Sequence, residues 1–157
     1  MPEHDRHGPI DPAAVPARLR SLPSRLIGRT ALHADRISHA HLATAGATRW
    51  QYAALVTLRD GGPASQAQLS DRTGIHRSDM VAVLAALTEA GHVERAPDPT
   101  DRRRNVVTLT TAGRTHLRDL DRRVDAAQTD LLAPLTPPER AELIRLLRRL
   151  DDHHRTH

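Results

Sequence analysis

Three consecutive arginines, Arg102, Arg103 and Arg104, follow Asp101 and lead straight into the β-forming run from Asn105 to Leu109. A guanidinium presents a planar fork of N–H donors suited to carboxylate or phosphate. The run therefore reads as a phosphate clamp, as part of a catalytic site or as a solvated turn. A second polar cluster, His76-Arg77-Ser78-Asp79, puts a forked donor, a hydroxyl and a carboxylate within four residues. Histidine is the third unusual supply, with 11 in the chain. His33, His41, His116 and Asp119 are residue types that ligate zinc. On a helix His33 and His41 stand about 80° apart, unlike the tight i, i+4 pair of a single-helix site, so two helices would have to assemble the metal centre. Arg29 and Arg36 fall within about 60° of His33 on one helix face. With Trp50 or Tyr52 they have the chemistry to hold an aromatic carboxylate by paired hydrogen bonds and stacking. The plainer reading pairs these arginines with acids such as Asp35, or across a dimer. His4 and His7 near one end, and His153, His154 and His157 near the other, read as solvated. There is no Ser-His-Asp elbow, phosphate-binding loop or HExxH motif, and scattered His and Asp make no catalytic site without convergence. The expectation is a protein that is not an enzyme.

The composition narrows the setting for these residues. The chain has 157 residues, enough for one domain with extensions. Without cysteine there are no disulfides and no thiolate metal sites. No apolar run nears the roughly 18 residues needed to span a bilayer, and the first residues lack a signal-like apolar stretch. A cytoplasmic protein without a membrane partner is expected. With no Phe, one Trp and one Tyr, the core must come from Leu, Val, Ala and Ile, which favours helices packed on helices. All 23 basic residues are arginine, so no Arg is informative merely for not being lysine. A net charge of +4 is compatible with a polyanionic partner but too small to argue for one.

The elements that must position the polar clusters follow from caps and periodicity. Residues 1–16, with four prolines, read as a loosely held arm, extending to about residue 20. Ser21-Leu22-Pro23 opens a helix that runs to about Ala43, and Gly46 breaks the chain. Thr48 caps a second helix carrying Trp50, Ala54, Leu55 and Leu58, which ends at Gly61-Gly62-Pro63. Ser65 and Gln68 form a capping box for a short helix to Thr73. After a turn at Gly74-Ile75, another helix starts near His76, carries Met80, Val81, Leu84 and Leu87 and stops at Gly91. Val93 to Ala96 and Asn105 to Leu109 read as two strands, with Pro97-Asp98-Pro99 turning the chain. A helix-turn-helix followed by a β-hairpin is a winged helix. Beyond Thr110, the residues Gly113, Leu117, Leu120, Val124, Ala127 and Leu131 make a narrow apolar stripe on a long helix ending near Pro134. Thr136-Pro137-Pro138-Glu139 caps a last helix with Leu143, Leu146, Leu147 and Leu150, and the polar tail from Asp151 reads as frayed. The fold class is mainly α with a small β-wing. Residues 21–60 are expected to form N-terminal helices for dimerisation, 61–110 the winged helix, and 111–157 C-terminal dimerisation helices.

In this arrangement the polar clusters acquire roles. A recognition helix meets base edges through its N-terminal residues. Arg77 can fork onto guanine O6 and N7, and Ser78 can contact base or phosphate. Asp79 either accepts from cytosine N4, pairs with Arg77, or simply caps the helix under its dipole. His76 reads as an unusual N-cap, while Ala82, one turn on, and Ser65 and Gln66, at the head of the preceding helix, complete the candidate DNA contacts. A wing beside a major-groove helix reaches the adjacent minor groove, where A·T-rich stretches attract arginine. Bulk charge does not identify this reader, since residues 65–105 hold six arginines and six acids. Only the placement of three arginines at one tip does.

The stretch Leu87 to Leu117 resembles the MarR family of bacterial transcription regulators, and the similarity extends over about residues 24 to 150. The residues that carry it are Gly91 after a helix end, Asp101-Arg102-Arg103 in the wing, and Leu109-Thr110-Thr111-Ala112-Gly113 closing it. Thr48 to Leu55 is similar to the start of the family's second helix. Asp79 departs from the pattern, which more often has Thr there. The resemblance implies a triangular homodimer with a winged helix at each lower corner, binding a pseudo-palindromic operator, usually as a repressor. It implies Arg103 as the arginine that inserts and Asp101 as the acid that braces the wing, leaving Arg102 and Arg104 along phosphates. It further implies release by a small, often aromatic, acid in a cleft between dimer region and reader. Some members sense zinc or cysteine oxidation, and the latter is ruled out here. No cofactor is required on this reading. The alternatives are a zinc-responsive regulator of the same fold and a helical interaction protein that never touches DNA.

Overall fold

The computed structural model describes residues 11–156, so the first ten residues, with His4 and His7, and the final His157 lie outside it. Contacts divide the chain into two units, one up to Arg36 and one from Ile37 onward. The first holds a 3-10 turn at Pro12–Ala14, a short helix α1 (Ala17–Arg20) and most of α2 (Pro23–Ala43). In the described part of the N-terminal arm, the Ala13 N–H donates to the Asp11 carboxylate and α1 starts behind Pro16. The apolar side chains of this unit are largely exposed, with Leu26, Ile27 and Leu32 facing outward.

The second unit contains α3 (Arg49–Gly61), α4 (Gln66–Thr73), α5 (Arg77–Glu89), β1 (Val93–Pro97), β2 (Asn105–Leu109), α6 (Thr111–Leu131) and α7 (Pro137–Arg155). Each helix start is built by the residue expected. Thr48, Ser65 and Thr136 form reciprocal capping boxes with Gln51, Gln68 and Glu139, which satisfy backbone N–H groups that the helix leaves free. Gly74 closes α4 in the left-handed conformation, at φ 73°. The core runs through Leu55 and Leu58 of α3, Leu69 of α4, Met80, Val83, Leu84 and Leu87 of α5, Val93, Val107 and Leu109 of the wing, and Leu117 and Leu120 of α6. Among the described residues no aromatic ring is fully buried.

Three features differ from the sequence reading. Val81, grouped by spacing with Met80, Leu84 and Leu87, is half exposed, whereas Val83 is buried. Pro97 is paired with Asn105 as the last residue of β1, so the wing turn spans 98–104. Proline fits there because it lies on an edge, where a missing N–H breaks no ladder. The tail from Asp151 to Arg155 stays helical, aided by an Arg155–Asp151 ion pair one turn apart.

Candidate nucleic-acid interface

The wing is an antiparallel hairpin in which Val93 pairs with Leu109 and Arg95 with Val107. Ala64, just before α4, adds a third short leg. It exchanges two backbone hydrogen bonds with Val107, of 3.1 and 2.7 Å, and so ties the wing to the helix-turn-helix. At the tip, two carboxylates organise the loop. Asp98 Oδ1 accepts from the Thr100 N–H at 2.9 Å and from its hydroxyl at 2.8 Å. These bonds hold the Asp98 carboxyl below its ordinary pKa. Asp101 Oδ1 accepts from the Arg103 N–H at 3.0 Å. Asp101 thus engages the backbone of Arg103, not its guanidinium. The Asp98 N–H donates to the Arg104 carbonyl at 2.7 Å and closes the loop. Arg102, Arg103 and Arg104 are exposed; none makes a direct ion pair with a described residue, while the charge of Arg104 helps to hold the Asp98 carboxyl low. Asp98, which the sequence reading treats only as part of a turn, is the second brace of this tip. The signal available for it is the Asp-x-Thr spacing of an Asx-type turn.

The base of the wing is set by a threonine and a glycine. The Thr110 hydroxyl donates to the Gly91 carbonyl at 2.6 Å and accepts from the Gly113 N–H at 2.9 Å, capping α6 while joining it to the end of α5. His92 stacks on His116 of α6, with ring centroids 4.1 Å apart and planes within 11°. Burial, and then the neighbouring His92, push the His116 pKa below its ordinary value.

The first turn of α5 is arranged around His76. Its Nδ1 stands 3.3 Å from the Ser78 N–H, which donates to it, and 2.8 Å from the Ser78 hydroxyl. His76 is therefore the N-cap of the helix, and Ser78 is partly committed to it. Arg77 and Ser78 are exposed, whereas Asp79 is half-buried in the first helical turn. No ion pair joins Asp79 to Arg77, which leaves the dipole of the helix as its local partner. The Ser65 hydroxyl is likewise occupied as an N-cap, beside half-buried Gln66.

Trp50 lines a hollow of about 480 Å³ with Ala53, Thr73, Gly74, Ile75, His76 and Asp79, against the helix-turn-helix turn. Tyr52 faces α6, where its hydroxyl donates to Asp121 at 2.8 Å, and Asp121 also receives Arg59 at 2.6 Å. Burial and this hydrogen bond raise the Tyr52 pKa to about 12. Arg29, His33 and Arg36 are exposed in the first unit, with His33 Nδ1 3.1 Å from an Arg36 nitrogen. The zinc set is not assembled. His41 pairs with Asp130 at 2.7 Å, His116 with His92, and Asp119 with Arg122 and Arg123. Among the described residues no group of three or more His, Cys, Asp or Glu is placed to hold a metal ion.

A helix-turn-helix with an arginine-tipped hairpin, backed by long helices, defines a winged-helix nucleic-acid-binding architecture. The chain belongs to the MarR family: the family's model matches residues 45–104. The HTH-type transcriptional repressor Mb2911 of Mycobacterium bovis is 32% identical over 111 residues, covering 71% of this chain and 80% of that protein. Other curated relatives match over less of their length, the chain spanning 53%, 64% and 66% of three of them. Among solved structures, a mutant MarR of Escherichia coli complexed with operator DNA is 26% identical with a TM-score of 0.74, over 87% of this chain and 99% of that one. BpsR of Bordetella bronchiseptica, whose DNA binding is regulated by 6-hydroxynicotinic acid, is 25% identical with a TM-score of 0.78, over 88% and 99%. The relatives found are transcription regulators, not enzymes. No helix among the described residues is long and apolar enough to cross a membrane.

Proposed function

We propose that the protein is a homodimeric repressor that binds a pseudo-palindromic operator and is released by a small aromatic acid. On this reading α5 lies in the major groove, with Arg77 and Ser78 at base edges, and Arg103 enters the adjacent minor groove. The observation that carries it is the wing tip. Asp98 and Asp101 spend their carboxylates on backbone and hydroxyl donors, so three guanidinium groups are presented without internal ion pairs. The exposed Ile144, Leu146, Leu147 and Leu150 on α7, with Leu26, Ile27 and Leu32 on α2, support dimerisation through the helices on either side of the reader. The effector reading is supported by the relative regulated by 6-hydroxynicotinic acid and by the exposed cations Arg29 and Arg36.

The test is fluorescence anisotropy with a duplex selected by the protein from the DNA upstream of its own gene, at low and high salt. A specific repressor binds that duplex far more tightly than a scrambled one at both salt concentrations, and 6-hydroxynicotinic acid or a related aromatic acid weakens the complex. Equal binding of both duplexes would remove the operator claim, and indifference to every aromatic acid tried would remove the effector claim.

A further inference from the structure

Val81 is 50% exposed, although Met80, Val83, Leu84 and Leu87, the other large apolar side chains of α5, are buried. It lies about 40° round the helix from Arg77, with Ala85 about 80° round, so the three share one outward face. Charged residues make up 27% of the chain, yet the exposed positions Val81, Ala82, Ala85 and Ala86 carry none. An exposed helix face normally bears polar side chains, and one that is apolar on both sides has something to cover it.

We propose that Val81 is a specificity-determining residue of this helix, reading the C5-methyl group of a thymine in the major groove, one turn beyond the base met by Arg77. The inference rests on the placement of α5 in the major groove proposed above. Thymine is the base whose major-groove edge presents a methyl group. The isopropyl group of Val81 gains by burying that methyl and can hydrogen-bond nothing. Over the cytosine amino group it would strip water from a donor without replacing it. The short side chains of Ala82 and Ala85 let the helix approach the base edges closely enough for a valine to reach. Arg77 and Val81 together therefore favour a guanine and a thymine in each half-site.

The experiment uses the full chain and a duplex selected by it from a randomised pool. Each half-site thymine is replaced in turn by deoxyuridine, which removes only the methyl group. For one thymine per half-site the wild-type protein should bind the uracil duplex about fourfold more weakly, the worth of burying one methyl. Val81→Ala, whose fold is checked by circular dichroism, should bind the thymine and uracil duplexes equally. Three results overturn the inference while leaving the operator reading intact: selected half-sites without thymine, wild-type binding indifferent to uracil at every position, or a methyl effect that persists in Val81→Ala. Failure to select any sequence overturns the operator reading itself, and this inference with it.

Discussion

Gly113 shows how closely single residues are constrained at the base of the wing. A Cβ there would stand 2.0 Å from the His92 carbonyl oxygen and 2.9 Å from Leu109 Cδ1, and the first of these is backbone that cannot rotate away. Gly113→Ala should destabilise the fold by about 3 kcal/mol in denaturant titration, since overpacking outweighs alanine's better helix propensity. An unchanged midpoint would show that the α5–β1 junction can yield. Tyr52 offers a spectroscopic counterpart, because it is the chain's only tyrosine. Its phenolate absorbance should appear with a midpoint near pH 12 in the native protein, against 10 when unfolded. A raised folded value means that the contribution of Tyr52 is fully present below pH 10 and is lost as pH rises towards 12. A native midpoint near 10 would mean that the Tyr52–Asp121 bond does not hold in solution.

Among elements, the proposed placement of the wing predicts different roles for adjacent arginines. Arg103→Ala should lose affinity and its preference for A·T-rich flanks, whereas Arg104→Ala should keep the preference and lower the salt slope by about one unit. Matched affinities and slopes for the two variants would return the tip to a uniformly solvated loop. The junction of wing and α6 carries a pH dependence. His116 titrates below the ordinary imidazole value, with His92 and Arg123 opposing its charge and Asp119 favouring it. A depressed folded pKa means that the unfolded chain takes up more protons as pH falls below 6.5, so stability declines in that direction. Melting temperature should fall between about pH 7.5 and 5.5, and His116→Gln should lessen that fall. A fall unchanged in the variant would place the titrating group elsewhere. The carboxylates held low, Asp98, Asp119, Glu139 and Glu142, lose their contributions only in more acid solution.

For the whole molecule, the distribution of apolar surface is the main consequence. The core of the second unit buries its leucines thoroughly, but α7 contributes no fully buried residue and leaves Leu146, Leu147 and Leu150 facing outward. A helix with such a stripe is incomplete in one chain. Leu147→Glu should therefore shift the protein from dimer to monomer in sedimentation velocity and weaken operator binding with it, because two half-sites are then no longer gripped together. A dimer that survives this change would move the interface away from α7.

The order of elements, the Thr48 cap, the capping boxes at Ser65 and Thr136, and the glycine at Gly74 were legible because they depend on neighbours within a turn of helix. The triple arginine after Asp101 was legible for the same reason: turn chemistry is local. What lies across the fold was not. Periodicity counts Val81 as core, and only the packing of α5 against α3, α4 and the wing decides that Val83 goes inward and Val81 outward. The histidines at positions 41 and 116 have the chemistry of metal ligands, yet contacts with Asp130 and His92 engage them. Local sequence determines where helices and turns begin, since hydrogen bonds within a few residues set those boundaries. Tertiary structure alone decides which side chains of distant segments meet, and so which donor, carboxylate or apolar group is left facing outward.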